Sequence, residues 1–232
     1  FSQYEQLKPM IDASPYDIQV GMRLNPQYSV SHHSMFDPCA PFSRFGVTES
    51  EICPALMQEM DGVHIHALCQ EFPQALAEVM ATVEERFGDY LYNLKWVNFG
   101  GGHHLTHPDY DVDRLCGLIS AFQEKYQVQV ILEPGEAVVY YCGYFVTSVI
   151  DVMRNEIDIA IVDASSKAHA PDIIEMGLHF EMLEAAHANE KPYTYRLGGN
   201  TCQSNDIFGD YSFDKPLRSG QKLVFKDMAQ YS

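Results

Sequence analysis

The sequence predicts an α/β fold followed by a β-rich domain, because the hydrophobic pattern changes once along the chain. Up to residue 136, short apolar segments alternate with segments of helical periodicity, which is typical of βαβ units around a parallel sheet. From Ala137 onward, β-branched and aromatic segments follow one another with little helical pattern. We therefore predict two domains, residues 1–136 and residues 137–232, and we expect the second to be mostly antiparallel.

Four short apolar segments are the predicted strands of the first domain. Each is bounded by turn-forming or polar residues, as the Asn25-Pro26 pair illustrates at the end of the first. The segments are Ile18–Leu24, Gly62–His66, Trp96–Phe99 and Val128–Leu132. The pattern alone leaves open whether the parallel sheet is doubly wound or belongs to a (β/α)8 barrel.

Helical segments separate these strands. Thr48 and Glu51 have the spacing of a capping box, which predicts a helix that runs to about Met60. Apolar residues then recur at helical spacing over residues 76–87, and Gly88 follows at a position where a C-terminal cap is common. A third helix is predicted over residues 112–122, with acidic residues near its start.

The second domain is predicted from four segments rich in β-branched and aromatic residues. They cover residues 138–151, 157–163, 193–197 and 223–228. A short helix is predicted near residues 182–187.

Composition restricts the partners of the protein. The net charge of −17 argues against nucleic acids and anionic membranes, which bind clustered cations. It would suit a cationic small molecule as substrate, although a charge that serves only solubility is the simpler explanation. No apolar stretch approaches the ~18 residues that span a bilayer. The six cysteines are scattered without metal-binding spacing or a dense disulfide framework, so we expect reduced thiols and a cytoplasmic protein.

Candidate site residues follow three of the predicted parallel strands. His66 ends the second strand, Gly100–Gly102 follow the third, and Glu133 follows the fourth. The carboxyl ends of parallel strands are where such folds place their chemistry, so we expect these residues to converge. A carboxylate can pair with a protonated pyridine nitrogen, and glycines expose backbone N–H groups to a phosphate. This combination predicts a pyridoxal phosphate site.

Cys202 is a candidate proton donor in the second domain. It lies in Gly198–Asp206, a loop of small and polar residues. A thiol pKa lies nearer neutrality than that of any hydroxyl, so a loop cysteine can give or take a proton.

A metal site is the competing interpretation of the same strand ends. His64 and His66 are two residues apart and would face the same side of a strand. Imidazoles and carboxylates bind zinc or iron, and further ligands are available nearby: His103, His104, His107 and Glu133. The pyridoxal phosphate interpretation is preferred and predicts no metal.

Seven short motifs follow one another along the chain: Arg23-Leu24-Asn25-Pro26, Ser43-Arg44-Phe45-Gly46, His64-Ile65-His66, Asn98-Phe99-Gly100-Gly101-Gly102-His103-His104, Leu132-Glu133-Pro134-Gly135-Glu136, Gly198-Gly199-Asn200-Thr201-Cys202 and Asp227-Met228-Ala229-Gln230-Tyr231. Together and in this order they resemble the fold-type III pyridoxal phosphate decarboxylases, the family of ornithine and diaminopimelate decarboxylases. Glu136 stands where those two enzymes carry Arg, and with Gly-Gly-Asn-Thr before Cys202 it resembles the carboxynorspermidine branch.

The resemblance implies pyridoxal 5'-phosphate as cofactor. His66 would stack on the pyridine ring and Glu133 would pair with its nitrogen, while Gly101, Gly102 and Tyr231 would hold the phosphate. The implied reaction is decarboxylation of carboxynorspermidine or carboxyspermidine in polyamine biosynthesis. Diaminopimelate or another basic amino acid is the alternative substrate.

The resemblance also implies a head-to-tail homodimer with shared active sites. Cys202 would protonate the carbanion that remains after CO₂ leaves, and Asp206 would bind a substrate amine in the partner's site. Glu136 is the further predicted contact of the substrate.

The fold implied by the resemblance is the second half of an alanine-racemase-like (β/α)8 barrel, followed by the β-rich domain. The lysine that binds the cofactor would lie on an earlier strand, and none of the lysines of this sequence has that context. We therefore expect the chain to be part of a longer polypeptide, with an incomplete β domain. A non-catalytic relative that acts as a binding protein is the alternative of another class.

Overall fold

The computed structural model describes residues 1–31 and 34–229. The chain divides into two compact units, the first comprising Phe1–Val138 and the second beginning at Val139. The domain boundary at 136/137 remains a prediction.

The first unit contains a four-stranded parallel sheet. Its strands are β1 (Gly21–Arg23), β2 (Gly62–His64), β3 (Trp96–Asn98) and β4 (Gln129–Ile131), in the order β1-β2-β3-β4. Backbone hydrogen bonds continue beyond the strands, because Ile65 N donates to Asn98 O at 2.7 Å. The predicted parallel sheet is confirmed.

Helices precede, separate and follow these strands along the chain. They are α1 (Ser2–Asp12), α2 (Pro54–Met57), α3 (Pro73–Leu91), α4 (Val112–Tyr126) and α5 (Glu136–Val139). The predicted apolar face of α3 is buried in the core from Leu76 to Phe87. The Asp111 carboxylate caps α4 by accepting a hydrogen bond from Arg114 N at 2.9 Å.

Two predicted helix boundaries are wrong. The segment after Thr48 forms only a 3-10 turn, Glu49–Glu51, and the chain is extended at Cys53 before Pro54 starts α2. A residue that precedes proline is disfavoured in the helical region, so the predicted continuous helix cannot form. Helix α3 also passes Gly88 and continues to Leu91, because the Leu91 side chain is fully buried in the core.

Two glycines make room for the single tryptophan. Gly21, Gly62 and Trp96 are register partners on neighbouring strands, so they share one face of the sheet. A Cβ atom added at Gly21 or Gly62 would overlap the Trp96 indole ring. The indole therefore lies across both glycines, and any larger residue there would displace it.

The second unit is built on a six-stranded mixed sheet. The strand order is β10-β5-β6-β8-β9-β7, with β6 and β8 parallel and the other neighbours antiparallel. The strands are β5 (Tyr144–Asn155), β6 (Ile157–Val162), β7 (Ala185–His187), β8 (Tyr193–Gly198), β9 (Ile207–Phe213) and β10 (Lys222–Lys226). The predicted β-rich, mostly antiparallel character is confirmed.

The sequence misplaced the helices of this unit. Two short helices, α6 (Ser166–His169) and α7 (Pro171–Glu175), follow β6 where none was predicted. The helix predicted near residues 182–187 is wrong, because Ala185–His187 pairs with β9. Pairing along the sheet edge outweighs a weak local helical preference.

In the part of the chain that the structure describes, no helix has the length and apolar character needed to cross a membrane.

The glycine positions under Trp96 give a stability prediction. Gly62→Ala should lower the free energy of unfolding by about 1 to 3 kcal/mol, the usual cost of overpacking a filled site. Gly117→Ala is the matched control, because Gly117 lies in α4 with nothing within 4 Å of an added Cβ. It should raise stability by roughly 0.5 to 1 kcal/mol. Urea unfolding measures both, and a Gly62→Ala protein as stable as wild type would contradict the packing.

Candidate active site

At the carboxyl ends of β2, β3 and β4, the predicted site residues His66, Gly101 and Glu133 lie close to Asn98. His64 and Asn98 are register partners on one face of the sheet. The Asn98 amide nitrogen donates to Glu133 Oε1 at 2.7 Å, and its amide oxygen accepts from Gly100 N at 2.8 Å. Asn98 therefore connects the glycine loop to the carboxylate, a role that the sequence pattern did not assign to it.

The two imidazoles lie beside this carboxylate. His64 Nε2 is 3.6 Å from Glu133 Oε2, which is an ion-pair distance but too long for a strong hydrogen bond. His66 Nδ1 accepts a hydrogen bond from Gly101 N at 3.2 Å. An accepting Nδ1 carries no proton, so the proton of neutral His66 is on Nε2.

Burial keeps both imidazoles neutral near neutral pH. It lowers the pKa of His64 and of His66, and nearby Arg23 lowers both further, while Glu133 opposes this effect. The Glu133 side chain is 49% exposed, so the carboxylate is accessible to a bound molecule. The site thus pairs neutral rings with an accessible anion.

The backbone conformation and close packing of the glycine loop, Gly100–Gly102, explain why it consists of glycines. Gly100 and Gly102 have φ values of 67° and 81°, which favour glycine. A Cβ atom at Gly101 would lie 2.8 Å from Glu133 O, and one at Gly102 would overlap Leu68 O. The glycines therefore let the loop after β3 pass closely between the loops after β2 and β4.

His103, His104 and His107, the further metal ligands suggested by the sequence, do not join the group. Among the described residues, His64, His66 and Glu133 form the set that could hold a metal ion, with ligand atoms within 4.8 Å of one another. His104 stacks on Phe72 with ring centroids 6.2 Å apart, and His107 meets the same ring edge-on at 5.3 Å. His104 and His107 are thus used in aromatic packing and are not available to complete a larger metal site.

His103 is buried behind the loop. Its side chain is 3% exposed, and burial lowers its pKa to about 4. His103 is therefore neutral at physiological pH.

Glu136 is held by Gln70, a residue that sequence reasoning missed. Gln70 Nε2 donates to Glu136 Oε1 at 2.8 Å and to Oε2 at 3.0 Å. Gln70 follows β2 with a φ of 55°, and no motif marks it. Because an amide is neutral, this contact orients Glu136 without cancelling its charge.

Arg23 supplies positive charge to this edge of the sheet. It is the register partner of His64, and its guanidinium lies 4.5 Å above the ring of Phe45. Arg44 lies 4.1 Å from the same ring. The motifs containing these arginines were recognised, but no role was predicted for either residue.

The predicted residues of the second unit differ sharply in exposure. Cys202 is exposed, whereas Asp206 is 4% exposed. Asp206 Oδ1 accepts from Ser166 N and Oγ at 2.8 and 2.9 Å, and Oδ2 accepts from Thr201 N and Oγ1 at 3.1 and 2.7 Å. Burial alone would raise the pKa of Asp206, but these hydrogen bonds outweigh it and lower the pKa to about 2. Its predicted contact with a substrate amine remains a prediction.

Tyr231, the remaining predicted phosphate contact, lies outside the described residues.

The fold and these strand-end residues place the chain in a known class. Residues 16–229 match the family described as "Pyridoxal-dependent decarboxylase, C-terminal sheet domain". The chain belongs to this family, and the resemblance predicted from its motifs is confirmed.

Two named relatives show which decarboxylases of the family the chain is similar to. The chain is 42% identical to the carboxynorspermidine/carboxyspermidine decarboxylase of Campylobacter jejuni, over 92% of this chain and 59% of the relative. It is 35% identical to the carboxyaminopropylagmatine decarboxylase of Synechocystis, over 93% of this chain and 56% of the relative. The chain thus spans less than two thirds of the length of these relatives.

Solved structures agree with the fold. The Campylobacter jejuni carboxynorspermidine decarboxylase complexed with norspermidine matches with a TM-score of 0.85 and 38% identity, covering 100% of this chain and 62% of that one. A diaminopimelate decarboxylase matches with a TM-score of 0.74 at 20% identity, covering 97% of this chain and 60% of that one. The latter similarity concerns the fold alone.

The depressed pKa of His103 predicts a pH dependence of stability. The folded pKa of about 4 lies below the ordinary value of about 6.5, so the unfolded chain binds more protons between these values. The contribution of neutral His103 to the free energy of unfolding is complete above about pH 6.5. It is lost as the pH falls towards 4, by an amount on the order of 3 kcal/mol.

Urea unfolding at a series of pH values should show a smaller loss of stability in His103→Gln than in wild type over this window. An NMR titration of His103 in the wild-type protein measures the same pKa without a substitution. Parallel stability curves, or titration near pH 6.5, would contradict the assignment.

Proposed function

We propose that the protein containing this chain is a pyridoxal phosphate-dependent decarboxylase of carboxynorspermidine and carboxyspermidine, forming norspermidine and spermidine. The observation that carries the proposal is the Glu133 carboxylate, fixed by Asn98 beside His66 at the carboxyl edge of a parallel sheet. Family membership and the names of two relatives, 42% and 35% identical to this chain, support the reaction.

The residues present fit pyridoxal phosphate. Glu133 Oε1 is occupied by Asn98, but the carboxylate remains half-exposed and can accept from a protonated pyridine nitrogen. The hydrogen bond from Gly101 N fixes the orientation of the His66 ring, whose face can then stack on another aromatic ring. Gly101 and Gly102 have no side chains, so the loop leaves room for a phosphate beside it.

Each residue then has a defined task. Glu133 would keep the pyridine nitrogen protonated, with Asn98 orienting Glu133. His66 would stack on the ring, and Gly101, Gly102 and Tyr231 would hold the phosphate. When bound, the cofactor supplies an electron-withdrawing ring that stabilises the negative charge left after CO₂ departs. The Glu133 carboxylate would stabilise the protonated nitrogen effectively, because Asn98 fixes the orientation of the carboxylate before the reaction.

Glu136 is the proposed contact for a substrate ammonium group. Its two oxygens are oriented by neutral Gln70, so its negative charge remains available to a cation. Carboxynorspermidine and carboxyspermidine carry several amines, and the net charge of −17 attracts such molecules from a distance. An Arg at this position, as in ornithine and diaminopimelate decarboxylases, would repel the same amines.

The remaining parts of the proposal concern assembly. We propose a homodimer with shared sites, in which exposed Cys202 protonates the product carbon in the partner's site. The four-stranded sheet is proposed as the second half of an alanine-racemase-like (β/α)8 barrel, supported by the similarity to decarboxylase structures. We propose a cytoplasmic location, because the six cysteines of the sequence are scattered without a dense disulfide framework.

A metal-dependent hydrolase is the second candidate, favoured by the cluster of His64, His66 and Glu133. It predicts about one zinc or iron per chain. Elemental analysis of the purified full-length protein separates the candidates, since bound phosphorus and pyridoxal without metal would exclude this one.

The proposed reaction predicts a substrate order. The full-length protein should decarboxylate carboxynorspermidine and carboxyspermidine with a kcat/KM at least about tenfold above that for diaminopimelate or ornithine. One additional contact between Glu136 and a substrate ammonium group would account for a factor of this size. Carboxyaminopropylagmatine belongs in the same assay, because a relative is named for it. CO₂ release measures all five, and faster turnover of diaminopimelate or ornithine would contradict the substrate assignment.

A further inference from the structure

Asp206 is a buried carboxylate whose hydrogen-bonding capacity is used within its own unit. Both oxygens accept two hydrogen bonds, from the backbone N–H and hydroxyl of Ser166 and of Thr201, at 2.7 to 3.1 Å. Ser166 is fully buried as well. A buried anion is stable when donors surround it, so this carboxylate needs no external cation.

The same residue closes the loop that contains Cys202. Gly199 N donates to Asp206 O at 2.8 Å, and Asp206 N donates to Gln203 O at 3.0 Å. A Cβ atom at Gly199 would overlap the Asp206 carboxylate, so glycine is needed where the loop passes over it. The loop therefore begins and ends on Asp206, and exposed Cys202 lies between the two ends.

Thr201 connects the carboxylate to the cysteine. It is adjacent to Cys202 in the chain and gives both its N–H and its hydroxyl to Asp206 Oδ2. Its hydroxyl also accepts from Gln203 N at 3.4 Å, on the other side of Cys202. The backbone on both sides of the cysteine is thus fixed through one hydroxyl.

We infer that Asp206 is a positioning residue, which acts through Thr201 to fix the backbone of the loop that presents Cys202. The inference rests on the proposed function, in which Cys202 delivers the proton. It replaces direct binding of a substrate amine as the role of Asp206, because an incoming ammonium would have to displace donors that are already in place.

The chemistry requires an acceptor without hydrogens at this position. Four donors converge on the Asp206 side chain, and a carboxylate accepts from all of them. An asparagine would direct an N–H group at two of these donors. The donors of Ser166 and Thr201 therefore explain why a charged carboxylate stands at position 206.

Thr201→Val in the full-length enzyme tests the inference, because it removes the hydroxyl and keeps the shape of the side chain. Loss of a hydrogen bond to a charged group should lower kcat about tenfold, with KM changed less than about twofold. Thr201→Ser is the matched control, since it keeps the hydroxyl and should retain kcat within about twofold.

The decisive comparison repeats Thr201→Val in a Cys202→Ala background. If Thr201 acts through Cys202, the substitution should cause no further loss of kcat there, a coupling that a merely structural role would not produce. An equal tenfold loss in both backgrounds would overturn the inference, as would a rise in KM without a change in kcat.

The comparison uses whichever substrate wild type decarboxylates fastest. A preference for diaminopimelate would therefore contradict the proposed substrate while leaving this test intact. Absence of decarboxylation with every substrate would remove the proposed function and the inference together.

Discussion

Asn98 joins the carboxyl ends of β3 and β4, since its amide oxygen accepts from Gly100 N while its amide nitrogen donates to Glu133. One side chain thus fixes both the glycine loop and the carboxylate. His66 is fixed in turn by Gly101, the next residue of that loop. The geometry of the site therefore depends on a neutral amide that can donate and accept at once, which no charged residue could do.

The two units stabilise their acidic groups in different ways. Glu133 remains accessible and receives one strong hydrogen bond, so it can still accept a cationic partner. Asp206 is buried and receives four, so its charge serves the local structure. The number of donors around each carboxylate thus distinguishes an anion that is available for binding from one that holds a loop in place.

The sequence predicted the features that depend on local pattern. The parallel order of the first sheet and the buried face of α3 followed from the spacing of apolar residues. The strand ends also brought His66, Gly100, Gly101 and Glu133 together as expected, because parallel strands converge at one edge.

Features that depend on contacts between distant residues could not be predicted. Gln70 and Glu136 are 66 positions apart, and a glutamine in a loop has no pattern that indicates its partner. Leu91 extends α3 past Gly88 because the core buries it, and residues 185–187 are a strand because β9 lies beside them. The capping box at Thr48 failed for a local reason, the proline at position 54.

The central claim is that the charge of Glu133 supports catalysis, and the kcat of Glu133→Gln in the full-length enzyme tests it most directly. The substitution keeps size and hydrogen bonding but removes the charge, so a protonated pyridine nitrogen loses its partner. We expect kcat to fall ~10²-fold or more, as for other preorganised electrostatic contacts, with pyridoxal phosphate still bound. Glu84→Gln is the control, because Glu84 forms a surface ion pair with Lys125 and should leave kcat unchanged. An unchanged kcat in Glu133→Gln, with cofactor bound, would contradict the account.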